Sequence, residues 1–418
     1  MIRVYVLVEE FSILIKNARL RYKPAEKKYF IGIRDRHIVS VREEPQERGI
    51  IEIDAEGNLV SEPFANPHIH MDKVYTYLIL GEGAVRQYQS LGMGGAMAAI
   101  EIASQIKEKY KESWIYENAK KAIMSALIHG NLYLRAFVDT DTKAKLEGIK
   151  ALLKLREEFR YYLTIQVVAF PQDGILKDEG ADEYVWKAVE MGADVVGGIP
   201  WIELTEEDEL EHIRRAFEIA KEFDKDVAML TDDAGDPNLR TTEMLAIQAI
   251  KEEWKGRVTA CHARALSTYP KPTLLKVIEL AKKAGMSSVT DPQTGPLYLP
   301  FKDMLRAGVN VALGQDDIAD AYYPYGRNSM LEVAFLASHI TWTMTLRDMD
   351  TFMDMITWRG MKAMGLEFCG IRPGCPADLL ILTGKSVYEA IWNHEPPQYV
   401  ISKGKIVAKN LKESKIFL

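Results

Sequence analysis

Short runs of β-branched and other apolar residues alternate, over most of this chain, with longer stretches whose apolar positions recur every three or four residues. The short runs predict strands over 58–67, 132–139, 163–170, 193–200, 226–232, 257–262, 287–291 and 310–317. The longer stretches predict helices over 143–159, 182–191, 206–223, 241–254 and 272–284, each with an apolar stripe able to cover a sheet. Strand and helix in strict alternation imply parallel βα units, and eight such strands imply a (β/α)8 TIM barrel. Both termini follow a different rule. Alternation of period two over 13–53, 377–382 and 399–408 predicts a small β-sandwich built from the two ends of the chain. The expected division is 1–57 and 369–418 for the sandwich and 58–368 for the barrel. No internal repeat or low-complexity tract interrupts it.

In such a barrel the reactive groups stand at the carboxyl ends of the strands, and polar residues gather there in this sequence. His68 and His70 follow the first strand, Gln172 the third, Asp232 and Asp233 the fifth, His262 the sixth, and Asp316 with Asp317 the eighth. On a strand, residues i and i+2 share a face about 6 to 7 Å apart, so His68 and His70 can both reach one cation. Neutral imidazole suits zinc, iron, copper or nickel. Tyr322, Tyr323 and Tyr325 lie just beyond the eighth strand, where an aromatic ring could stack on a planar substrate. Gly92, Met93, Gly94 and Gly95 form a turn that reads as a helix start or a loop at the barrel mouth. His37, His129, His212, His339 and His394 are given no chemistry.

Composition narrows the class. A chain of 418 residues, 47% hydrophobic and with a formal net charge of −7, carries no basic run, which argues against a nucleic-acid partner. Glu9, Glu10 and Lys16 interrupt the apolar positions of the first twenty residues, leaving neither a secretory core nor a membrane span; the expectation is a cytoplasmic protein. The three cysteines, Cys261, Cys369 and Cys375, are too few for a disulfide framework and are expected to be small buried hydrophobes, with Cys261 turned away from the face of His262.

The segments Pro67-His-Ile-His-Met-Asp72, Val167-Val-Ala-Phe-Pro-Gln-Asp-Gly-Ile175, Gly192-Ala-Asp-Val-Val-Gly-Gly-Ile-Pro200, Val258-Thr-Ala-Cys-His262 and Gly314-Gln-Asp-Asp317 resemble those of the cytosine deaminases of the amidohydrolase superfamily, in order and spacing. Gly370-Ile-Arg-Pro-Gly-Cys-Pro-Ala-Asp-Leu380 is similar to the segment by which that superfamily returns from barrel to sandwich. The resemblance implies a hydrolase of C–N bonds in a small planar amine or cyclic amide, using water activated by one divalent ion, zinc or iron. It implies His68 and His70 as metal ligands, Asp316 as ligand and base, and His262 as a further ligand or a group that steadies the attacking oxygen. It also implies Gln172 on the amide edge of a ring, Asp317 and Tyr322 as further substrate contacts, and a homo-oligomeric assembly.

Departures from the family pattern matter as much. Leu230 stands where the family has a histidine ligand on the fifth strand, and leucine cannot coordinate. Asp233 replaces a glutamate that relays a proton, Phe137 a pocket histidine, Gln315 a histidine, and Tyr322 a tryptophan. Asp232, two residues after Leu230 on the same predicted face, is a candidate to fill the vacant ligand position, as is His262. The alternative to catalysis is a lapsed barrel that binds a small molecule without turnover.

Overall fold

A computed structural model describes residues 10–44, 48–91 and 95–417. The N-terminal segment supplies β1 (Phe11–Leu20), β2 (Tyr29–Arg34), β3 (His37–Arg42), β4 (Gly49–Asp54) and β5 (Leu59–Ser61). Eight parallel strands follow: β6 (Phe64–His70), β7 (Asn131–Asp139), β8 (Thr164–Phe170), β9 (Val195–Gly198), β10 (Asp226–Thr231), β11 (Val258–His262), β12 (Ser287–Thr290) and β13 (Asn310–Leu313). The chain ends in β14 (Leu379–Ile381), β15 (Tyr399–Ser402) and β16 (Lys405–Lys409).

Strands β6 to β13 pair each with the next, and the ring closes where the Asp316 segment meets β6. His70 N–H donates to the Asp316 carbonyl at 2.8 Å, and Asp316 N–H donates to the His68 carbonyl at 3.0 Å. Gly314 permits this approach, since a Cβ there would lie 3.0 Å from the Cβ of His68. Side chains alternate as the pleat requires: Val168, Phe170, Ala228 and Leu230 fill the interior, while Val167, Ala169, Val227 and Met229 pack outward under the helices. The helices seal their ends locally; Thr205 Oγ1, for example, accepts from Asp208 N–H to open the helix Glu206–Glu222.

The terminal strands form the separate β-domain that period-two patterning predicts. β1 pairs with β2 and β4 along its first part and with β5 at its end, its register shifting between Ile15 and Ala18. It thereby joins the N-terminal strands to β14–β16 around one core that includes Ile15, Ile33, Val60, Leu379 and Ile401.

Two expectations change. The run 58–67 is not one strand: β5 belongs to the terminal domain, and the barrel strand starts at Phe64, after Pro63, which has no N–H to offer a ladder. Cys369 and Cys375 are joined by a disulfide rather than standing as separate hydrophobes, because the intervening Gly370–Gly374 turn brings their Cα atoms to 5.6 Å. No helix among the described residues is long and apolar enough to cross a membrane.

Candidate active site

At the carboxyl ends of the barrel strands, three imidazoles turn their Nε2 atoms toward one carboxylate oxygen. Asp316 Oδ1 lies 3.0 Å from His68, 3.7 Å from His70 and 3.9 Å from His262. Local backbone geometry makes this possible. A register shift in β6 between Asn66 and Ile69 seats His68, while Ile69 between the two histidines packs outward. His262 and Asp316 both adopt left-handed backbone, with φ of 65° and 66°, which swings their side chains into the mouth where extended strands would not.

That same turn corrects the expectation for Cys261. Strand alternation ends at His262, so Cys261 also faces the barrel interior, packed among Leu230 and Val289. Burial pushes its thiol up to about 12, so it stays an unreactive apolar filler.

His70 and Asp316 hold the protonation states that ligation needs. Burial, the nearby Lys73 charge and His68 hold His70 well below the ordinary histidine range, so it is neutral. Asp316 is buried, which would raise its carboxyl, but His262 and His68 outweigh that and hold it well below the usual carboxylate range. Burial would likewise lower His262, yet the carboxylates of Asp233, Asp291 and Asp316 raise it above the ordinary value. Its Nδ1 is 2.9 Å from Asp291 Oδ1. Burial, despite His262 and Arg264, raises the carboxyl of Asp233.

Donor atoms of His68, His70 and Asp316 lie within 4.8 Å of one another, while those of His262 group with Asp291 and the same Asp316. Two or three imidazoles with one carboxylate form a donor set that suits zinc or iron. The buried Nδ1 atoms of His68 and His70 have no hydrogen-bond partner among the described residues, so those contacts leave these rings incompletely satisfied. A second cluster, His70 with Asp72 and Asp139, is already neutralised: Lys73 Nζ sits 2.6 Å from Asp139 Oδ1, and Lys107 3.4 Å from its other oxygen.

Asp232 does not join the centre. β10 ends at Thr231, and Asp232 takes a φ of 46°, so the i+2 rule no longer holds there. Its Oδ1 accepts from Thr241 N–H at 2.7 Å and its Oδ2 from Thr242 N–H at 3.1 Å, which caps the helix Thr241–Lys251. Leu230 does reach the cavity, as do Gln172, Asp233, Asp317 and Tyr322. Ile100, Ile199 and Leu230 give this cavity an apolar wall. Phe137 packs beneath, its ring centroid 4.3 Å from that of His68. Residues 92–94 of the glycine-rich turn lie outside the described residues; Gly95 precedes the helix Ala96–Ser104.

Sequence reasoning overlooked three contributors. Arg264 is buried in the wall, its Nη2 2.6 Å from Asp291 Oδ2 and its Nε 2.8 Å from Asp233 Oδ1. Asp291 ends the seventh predicted strand, a position that could have been counted with the other strand-end carboxylates. Lys73 follows the His-x-His motif by three residues and bonds Gln172.

A family model described as the amidohydrolase family matches residues 119–408. This chain belongs to the amidohydrolase family. The amidohydrolase is 33% identical over 408 residues to the N-isopropylammelide isopropyl amidohydrolase of Pseudomonas sp. (strain ADP), covering 96% of this chain and 98% of that one. It is 23% identical to a pterin deaminase of Rhizobium rhizogenes over 86% of this chain and 83% of that one. Among solved structures, the 5-methylcytosine deaminase from Klebsiella pneumoniae liganded with 5-fluorocytosine superposes with a TM-score of 0.87 and 29% identity, over 97% of this chain and 99% of that one. The cytosine deaminase-like resemblance of the sequence is thus borne out. The amidohydrolase is an enzyme acting on non-peptide C–N bonds, and nothing favours the lapsed barrel.

Proposed function

We propose that this enzyme hydrolyses the exocyclic C–N bond of a small planar aminated heterocycle, with one divalent ion, zinc or iron, held by His68, His70 and Asp316. The observation that carries the reading is the meeting of three Nε2 atoms on Asp316 Oδ1 in a cavity also lined by Gln172, Asp233, Asp317 and Tyr322. When bound, such an ion supplies Lewis acidity that brings the pKa of water toward neutrality. Ionised Asp316 takes the proton of the attacking water. His262, tied to Asp291 through Nδ1, presents Nε2 to the oxygen that adds to the ring carbon. Asp233, whose carboxyl burial raises, relays a proton to a ring nitrogen as that carbon becomes tetrahedral. The C–N bond then breaks: the amine leaves with the proton collected by Asp316, and the added hydroxyl returns its proton to Asp233 as the ring carbonyl forms. Gln172, Asp317 and Tyr322 orient the ring.

The Klebsiella relative's name, a 5-methylcytosine deaminase, points the substrate toward an aminated pyrimidine-like ring. The apolar wall of Ile100, Ile199 and Leu230 favours one carrying a small alkyl substituent. The test is a panel of amino- and alkylamino-substituted pyrimidines and triazines, offered to enzyme reconstituted with zinc or iron(II) and assayed for released ammonia or amine. Turnover of at least one ring, abolished by chelation, is expected. No release from any ring by either reconstituted form would overturn the proposal.

A further inference from the structure

Gln172 meets the cavity with an amide whose two ends are chemically opposite, and a buried lysine decides which end faces inward. Lys73 Nζ donates to Gln172 Oε1 at 3.1 Å and to Asp139 Oδ1 at 2.6 Å, both inside the protein. An ammonium has donors and no acceptor, so a flipped amide would set NH2 against NH3+. The carbonyl end of Gln172 therefore stays on Lys73. Its NH2 end forms no hydrogen bond among the described residues, and Gln172 lines the cavity.

The lysine is itself firmly held. Asp139, at the end of β7, accepts from Lys73 and also faces Lys107, which lies 2.9 Å from Asp173 and bonds Asp141. Asp173 is the next residue after Gln172 and accepts from Ser104 Oγ at 2.9 Å. The turn is thus fixed on one side through Gln172 and on the other through Asp173, so the amide direction is set before any ligand arrives.

We infer that Lys73 is a positioning residue that acts through Gln172: it makes the glutamine a pure donor toward the cavity, so the site selects rings presenting an acceptor at that edge, a carbonyl oxygen or an unprotonated ring nitrogen, over rings presenting N–H or NH2. This rests on the proposed function only in taking the ligand to be a nitrogen heterocycle in this cavity. A donor facing a donor leaves both unpaired, which corresponds to a preference of about 10- to 100-fold.

The test uses the zinc-loaded enzyme and two 4-aminopyrimidines that differ only in oxo or amino at carbon 2, read by calorimetric affinity and by kcat/KM where turnover occurs. The expected parent preference is at least about 10-fold for the oxo ring. Gln172→Glu keeps the contact with Lys73 but turns an acceptor inward, and should shift the ratio at least about 10-fold toward the amino ring. The paired change Lys73→Met with Asp139→Asn removes the charge pair together and should bring the ratio toward unity, a change that mere loosening of the fold would not produce. Should that pair fail to fold, Gln172→Glu decides alone. An unchanged ratio in Gln172→Glu, or in the folded pair, overturns the inference. If neither these rings nor any of the wider panel binds the parent, the proposed function falls instead.

Discussion

Leu230→His puts a further nitrogen donor on the cavity wall that already carries His70, His262 and Asp316. Leu230 is 3% exposed and packs in the barrel interior, so the exchange forfeits apolar burial worth about 1.5–3 kcal/mol in metal-free protein. Against this, removing even an outer partner of a metal ligand changes affinity by about 10- to 100-fold, and a new direct ligand should gain at least about 10-fold, or roughly 1.4 kcal/mol. The two effects have opposite signs in different states, which makes the prediction sharp. Stripped of metal, the variant should melt a few degrees below the parent. With zinc at 100 times its Kd the stabilisation is about 2.7 kcal/mol, enough to recover most of that loss. Chelator competition measures the affinity and scanning calorimetry the stability. Equal zinc affinity in parent and variant would refute the geometry, because it would mean that position 230 does not face the converging donors.

Asp316→Asn should abolish amine release and weaken zinc binding by at least about 10-fold; preserved turnover would remove it from the chemistry. It should also change acid stability. A carboxyl held below its unfolded value contributes stability above the unfolded pKa, and this is lost as pH falls through the folded one. Metal-free Asp316→Asn should therefore lose less stability than the parent on acidification below about pH 4, measured by urea unfolding. Glu209 has the opposite sign: burial, then Asp232, Glu206 and Glu203, raise its carboxyl to about 7, so its contribution is lost as pH climbs from the ordinary carboxylate range through 7. Glu209→Gln should accordingly stabilise the protein at pH 8, by on the order of 1 kcal/mol, and leave it unimproved at pH 4. Glu203 accepts from the N–H groups of Ile175, Leu176 and Lys177 and contacts His212 Nδ1 at 2.7 Å, fixing the loop after Gln172. Glu203→Ala should cost about 3 kcal/mol in denaturant unfolding, with a rise in KM.

Elements with a strong period were legible in the sequence. The helices Glu206–Glu222 and Thr241–Lys251 begin where their patterns begin, and β7, β8 and β10 fall within a residue of the apolar runs that predict them. His68, His70, His262 and Asp316 were legible as well, because each stands at or just past the carboxyl end of a strand and strand ends share one rim. What escaped depends on backbone that leaves the regular lattice. Asp232 was misplaced because its left-handed φ ends the strand one residue early, and Cys261 because His262 does the same. Arg264 lies beyond that turn, where no periodicity says which way a side chain points. The Cys369–Cys375 link depends on a turn whose closure cannot be read from spacing alone.

The barrel has its joint where its chemistry is: the hydrogen bonds that fasten the last stave to the first run between the backbones of His68, His70 and Asp316. The ion proposed for those side chains would act as a clasp on the hoop itself. Without an ion the backbone seam there rests on those two hydrogen bonds alone.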